Sequence, residues 1–118
     1  MYKNDTAFEV FKTPVFGLRA AFVIILGWLA NRRLHISTIP DIIRRWAPPS
    51  ENNTHDYISR VVAVSNVAPT HKLTIDDRDA LCRIVSAMII VENGRRFEDI
   101  IPDDSIKEAY ELARNRAA

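Results

Sequence analysis

The sequence predicts an all-α chain, about five helices folded as a single domain over residues 1–118, and three observations carry that expectation. Apolar residues recur at helical spacing through most of the chain, and alternation is confined to one short N-terminal segment. The periodic runs are separated by short polar links containing Pro, Asn, Asp and Gly. Most runs are opened by a helix-start signal, a small polar residue followed by proline or by acids. With 118 residues there is material for one modest core but not for two. No internal repeat or low-complexity tract argues otherwise.

Residues 1–6 are polar and read as flexible. In residues 7–11, Phe8 and Val10 alternate with Glu9, which fits a short extended arm at most. Thr13 and Pro14 then supply a cap and a favoured first position for a helix running to about Asn31. This helix is apolar on nearly every side, the pattern of one enclosed by the rest of its domain. Gly17 and Gly27 lower its intrinsic propensity and suggest that a neighbour packs closely against them. After a connector at 34–37, Thr38, Pro40 and Asp41 are spaced as in a capping box. Ile39, Ile42, Ile43 and Trp46 form the apolar face of a short helix that must stop before Pro48.

The next helix is expected from about Thr54 to Val64, with Tyr57, Ile58, Val61, Val62 and Ser65 on one side and Asp56 in its first turn. Thr74 and three acids (Asp76, Asp77 and Asp79) introduce a long helix from about Asp76 to Glu92. Asn93-Gly94 closes it, with Gly94 suited to a left-handed cap. Beyond Pro102, Asp103, Asp104 and Ser105 open a last helix. There Ser105 and Glu108 have capping-box spacing, and Ala109, Leu112 and Ala113 offer a thin apolar stripe.

Composition excludes several function classes. The net charge of +1 provides no global field for nucleic acid or an anionic membrane, so no nucleic-acid partner is expected. The pairs Arg32-Arg33, Arg44-Arg45 and Arg95-Arg96 each fall at a helix end, where cations complement the dipole. A single cysteine, Cys82, forms no internal disulfide and reads as a small buried hydrophobe. His35, His55 and His71 lack ligand spacing, so no metal is expected. The apolar run from Ala20 to Ala30 is too short for a bilayer and is bounded by Arg19, Arg32 and Arg33, so no membrane span is expected. No nucleophilic triad or Gly-rich phosphate loop is legible, which implies no cofactor.

Two places could carry chemistry. The stretch Arg44 to Tyr57 crosses a Pro-Pro pair and lays down Glu51, Asn52, Asn53 and Thr54 between two aromatics, Trp46 and Tyr57. That composition suits a hydrogen-bonding surface with aromatic walls able to stack on sugar rings. The structural reading is equally simple: Trp46 closes its helix onto the core, Tyr57 anchors the next, and Asn53 and Thr54 start it. The second place is Glu92. On a helix, Leu81, Val85, Met88 and Glu92 share one stripe, which aims the carboxylate toward the core side. Both that position and the helix C-terminus would disfavour its charge, as a general acid requires. The alternative is a helix-end glutamate in water, paired with Arg95 or Arg96. Glu51 is a second carboxylate that could flank a glycosidic bond opposite Glu92.

Three blocks of residues resemble one family. Phe-Glu-Val-Phe-Lys-Thr-Pro-x-x-Gly-Leu-Arg-Ala (8–20), Arg-Trp-Ala-Pro-Pro-Ser-Glu-Asn-Asn-Thr-x-x-Tyr-Ile (45–58) and Ile-x-x-Glu-Asn-Gly (89–94) are similar, in this order, to blocks of bacteriophage and prophage virion structural proteins. The resemblance covers most of the chain. It implies a lysozyme-like helical domain, since that family is also similar to cell-wall glucosaminidases and lytic transglycosylases. There a helix-terminal glutamate is the acid, and Glu92 is the matching position. The family's Asn-Asn-Pro-Gly-Asn-Ile block, which precedes the Phe8–Phe11 segment, has no counterpart here, so the expectation is the fold without the full catalytic machinery.

The reading implied is a virion-associated structural protein with other virion proteins as partners, located in the particle or in the host cytoplasm before assembly. Two alternatives stand beside it. One is a virion-associated peptidoglycan hydrolase or transglycosylase that acts on glycan strands with Glu92 as general acid. The other is a small phage-encoded protein that binds and inhibits a host protein.

Overall fold

The computed structural model describes residues 14–48, 53–94 and 101–117. Among them are five α-helices and no strand, as the periodicity predicts. The helices are α1 (Pro14–Ala30), α2 (Ile39–Trp46), α3 (Thr54–Ser65), α4 (Arg78–Asn93) and α5 (Asp103–Ala117). A single 3-10 turn, Arg32–Leu34, follows α1. The expected flexible residues 1–6, the extended arm at 7–11 and the Thr13 cap lie outside the described residues.

α2 follows its sequence signals closely. Thr38 Oγ1 accepts from the Asp41 N–H, and the Asp41 carboxylate accepts from the N–H groups of Ser37 and Thr38, so the capping box forms. Burial pushes the Asp41 carboxyl up. Those hydrogen bonds, with the nearby Arg44 charge, outweigh it and hold the group below its usual range. Ile39, Ile42, Ile43 and Trp46 are all buried, so the apolar face is the one the sequence shows.

α1 and α4 depart from expectation in a related way. The sequence makes α1 the enclosed helix, yet Arg19, Gly27 and Ala30 are exposed and Val23, Ile24, Trp28 and Leu29 are only half-buried. Leu18, Ala21, Phe22, Ile25 and Leu26 form its buried side. That side lies mainly along α5, where Phe22 meets Tyr110 edge-to-face with centroids 5.8 Å apart. α4 is the enclosed helix. Eight of its sixteen residues are buried, and it packs against α3, α5 and α1, so its apolar positions extend well beyond one stripe.

Three local expectations are corrected. α4 begins at Arg78 rather than near Asp76, because Thr74 and Asp77 bond within a preceding turn: Asp77 Oδ2 accepts from the Thr74 N–H and Thr74 Oγ1 from the Asp76 N–H. Gly94 has positive φ (+93°) but ψ of 166°, an extended conformation and not the left-handed helical cap expected. In α5, Leu112 is 46% exposed, and the buried stripe is Ile106, Ala109, Tyr110 and Ala113. Ser105 cannot act as the cap there, because α5 has already begun at Asp103. Its N–H bonds the Pro102 carbonyl within the first turn. Tyr110 sets the phase. Its ring is buried and its hydroxyl donates to the Ile75 carbonyl, while Arg114 holds Asp76 at 2.8 Å, so α5 is tied to the turn before α4.

The Gly27 position also reverses an expectation. A Cβ built there meets nothing within 4 Å among the described residues, so no close neighbour among them explains the glycine. Gly27→Ala should therefore stabilise the protein by about 0.5–1 kcal/mol, by removing unfolded-state freedom from an exposed helical site. Chemical denaturation midpoints check this. A loss of stability would show that α1 is covered at Gly27 after all.

Candidate functional site

The packing of α3 on α4 brings together two residues that lie 35 positions apart. Tyr57 sits in the first turn of α3 on the stripe that continues to Val61 and Ser65, and Glu92 ends the Leu81, Val85, Met88 stripe of α4. Leu81, Val85 and Met88 are wholly buried, whereas Glu92 is half-buried where the stripe meets the surface. The Tyr57 ring is 5% exposed and its hydroxyl donates to Glu92 Oε2 at 3.0 Å. A buried phenol needs such a polar partner at its tip. The bond in turn fixes the direction of one carboxylate oxygen.

The other predicted residues of the Arg44–Tyr57 stretch take structural positions. Trp46 is 2% exposed and meets Trp28 edge-to-face at 6.2 Å, so neither ring face is open to a sugar. Trp46 shares the core-facing phase of Ile39, Ile42 and Ile43, so its place in the fold is that of a core residue. Asn53 is the N-cap of α3, its side chain accepting from the Asp56 N–H at 3.1 Å. Thr54 is buried, and its hydroxyl donates to the Ala47 carbonyl. That bond joins the end of α2 to the start of α3. Glu51 and Asn52 lie outside the described residues, as do Arg95 and Arg96.

A second concavity was not singled out by the sequence. It is a cleft of about 460 Å³ between α4 and α5, with Cys82, Ile90 and Ile106 among its apolar lining and Arg83, Asp103 and Lys107 among its charges. Its signal was present as a second helical stripe on α4: Asp79, Cys82, Ser86 and Ile90 recur at helical spacing. Cys82 is buried, as the sequence suggests. Burial pushes its thiol up to about 11 despite the opposing pull of Arg78, so it is neutral near pH 7. Among the described residues no group of three His, Cys, Asp or Glu side chains could hold a metal ion.

No family model matches the chain. The chain is 37% identical over 107 residues to Protein P5 of Pseudoalteromonas phage PM2. The match covers 91% of this chain but 62% of that protein, so the chain spans less than two thirds of the relative's length. This sequence is thus similar, along nearly all of its length, to a phage protein.

Thr54 separates a structural from a ligand-binding account of the polar stretch. Thr54→Val keeps the shape but leaves the Ala47 carbonyl without its hydroxyl donor, and should cost about 1–3 kcal/mol. Urea unfolding of the two proteins measures it. An unchanged midpoint would show that the Thr54 hydroxyl does no structural work in joining α2 to α3.

Proposed function

We propose that the chain is a structural component of a phage particle, with other particle proteins as its partners. The observation that carries this reading is the 37% identity to a phage protein over 91% of the chain. The site geometry favours it over a glycan-binding role. Trp46 is closed into the core, Asn53 caps a helix, and Thr54 ties α2 to α3, so three of the stretch's candidate ligand residues have work inside the fold. Among the described residues no helix is long and apolar enough to cross a membrane, which fits an attachment made through protein surfaces. The single-domain reading belongs to this proposal, as do its particle or host-cytoplasm location and its lysozyme-like ancestry.

One observation favours a second reading. Glu92 lies at the end of a helix, half-buried, with one oxygen oriented by Tyr57. A glutamate so placed could serve as the general acid of a peptidoglycan hydrolase or transglycosylase. The inhibitor alternative has no comparable observation behind it.

The two readings part in one experiment. Purified particles of the source phage or prophage should contain this chain at a fixed copy number, and Glu92→Gln should leave that number and particle assembly unchanged. Purified protein should not clear peptidoglycan across the acidic to neutral range. Absence from particles would overturn the structural reading. Clearing that Glu92→Gln abolishes would establish the enzymatic one.

A further inference from the structure

Charge in this chain is segregated, which the whole-chain balance of +1 conceals. Residues 14–48 carry five arginines and one acid, Asp41. That acid accepts from the amides of Ser37 and Thr38 within the capping box and lies near Arg44. The acids of the later segments gather elsewhere, with Asp76, Asp77 and Asp79 before and in the first turn of α4 and Asp103 and Asp104 at the start of α5.

The fold sets one of these arginines beside the end of α1. Trp28, near the end of α1, meets Trp46, at the end of α2, and the Arg45 guanidinium lies 5.3 Å from the Trp28 ring centroid. Arg32 and Arg33 follow Trp28 by about one turn. Arg32, Arg33, Arg44 and Arg45 are all exposed, and none forms an ion pair with a described residue. Complementing a helix dipole explains a cation in a last turn. It does not explain Arg45, whose guanidinium lies over Trp28 near the end of another helix.

We propose that this arginine edge binds the phosphodiester backbone of nucleic acid without reading its sequence. Three features select that partner. Every cation of the edge is arginine, whose planar fork matches phosphate oxygens in pairs. The Trp28 face holds Arg45 ordered before binding, which lowers the entropy lost on contact. No large hydrophobic residue on this edge is exposed: Leu112 on α5 is the one so exposed among the described residues, so nothing here would insert into a bilayer. The proposal stands apart from the particle reading, since the edge would bind outside a particle as well.

The test uses the full chain and a short random-sequence DNA duplex. Both tryptophans, Trp28 and Trp46, lie at this edge, so intrinsic fluorescence reports binding directly. With four phosphate contacts at a slope of about −0.9 each, affinity should fall roughly 100-fold between about 50 and 200 mM salt. Arg32→Gln with Arg33→Gln should reduce that loss to about 10-fold, and Arg44→Gln with Arg45→Gln should do the same. The first pair leaves the Arg45–Trp28 contact in place, so its result does not depend on local packing. Arg83→Gln, on the α4–α5 cleft, should change nothing. Absence of binding to the duplex, or a salt dependence that neither double variant reduces, would overturn the proposal. So would binding to anionic phospholipid vesicles or to polyglutamate in preference to the duplex.

Discussion

The burial of α4 is the constraint on which the rest of this structure depends. A helix with buried side chains around most of its circumference must be covered by several neighbours at once. α3 and α5 lie along it and α1 reaches it, with the buried residues of all five helices joined in one cluster. Wholly burying a residue such as Leu81 or Met88 contributes about 1.5–3 kcal/mol relative to leaving it in water, as an upper estimate. α2 adds its own apolar face to the same cluster, so the short helix is held by packing and not by propensity.

Local instructions were legible in the sequence where a few neighbouring residues decide the outcome. The Thr38–Asp41 capping box, the apolar face of α2 and the stop before Pro48 require only contacts within one turn. Boundaries and phases governed by distant partners were less legible. Tyr110 belongs to the buried stripe of α5 because its hydroxyl finds the Ile75 carbonyl and its ring finds Phe22, neither of which is near it in sequence. Leu112, a better hydrophobe by composition, is left outside by that choice of phase. Gly27 misled for the opposite reason: it lies in an apolar run, yet faces outward.

The same distinction runs through the candidate site. Helical spacing was enough to place Glu92 on the stripe of Leu81, Val85 and Met88, and its half-buried position follows from that stripe meeting the surface. Its partner was not legible, because the pairing of Tyr57 with Glu92 is a product of how α3 lies on α4. In the Arg44–Tyr57 stretch, Trp46, Asn53 and Thr54 take positions inside the fold for a similar reason. Residues that look available in a sequence acquire internal partners when helix ends meet. Arg45 shows the converse: a charge that looks unrelated to α1 in the sequence lies over Trp28 once α1 and α2 bring Trp28 and Trp46 together.

α3 and α4 are set so that the Tyr57 hydroxyl orients the Glu92 carboxylate. A double-mutant cycle of Tyr57→Phe and Glu92→Ala measures that pairing and cancels what each side chain does elsewhere. The structure predicts a favourable coupling of about 1 kcal/mol in unfolding free energy. Single-variant effects that add to within about 0.3 kcal/mol would contradict it.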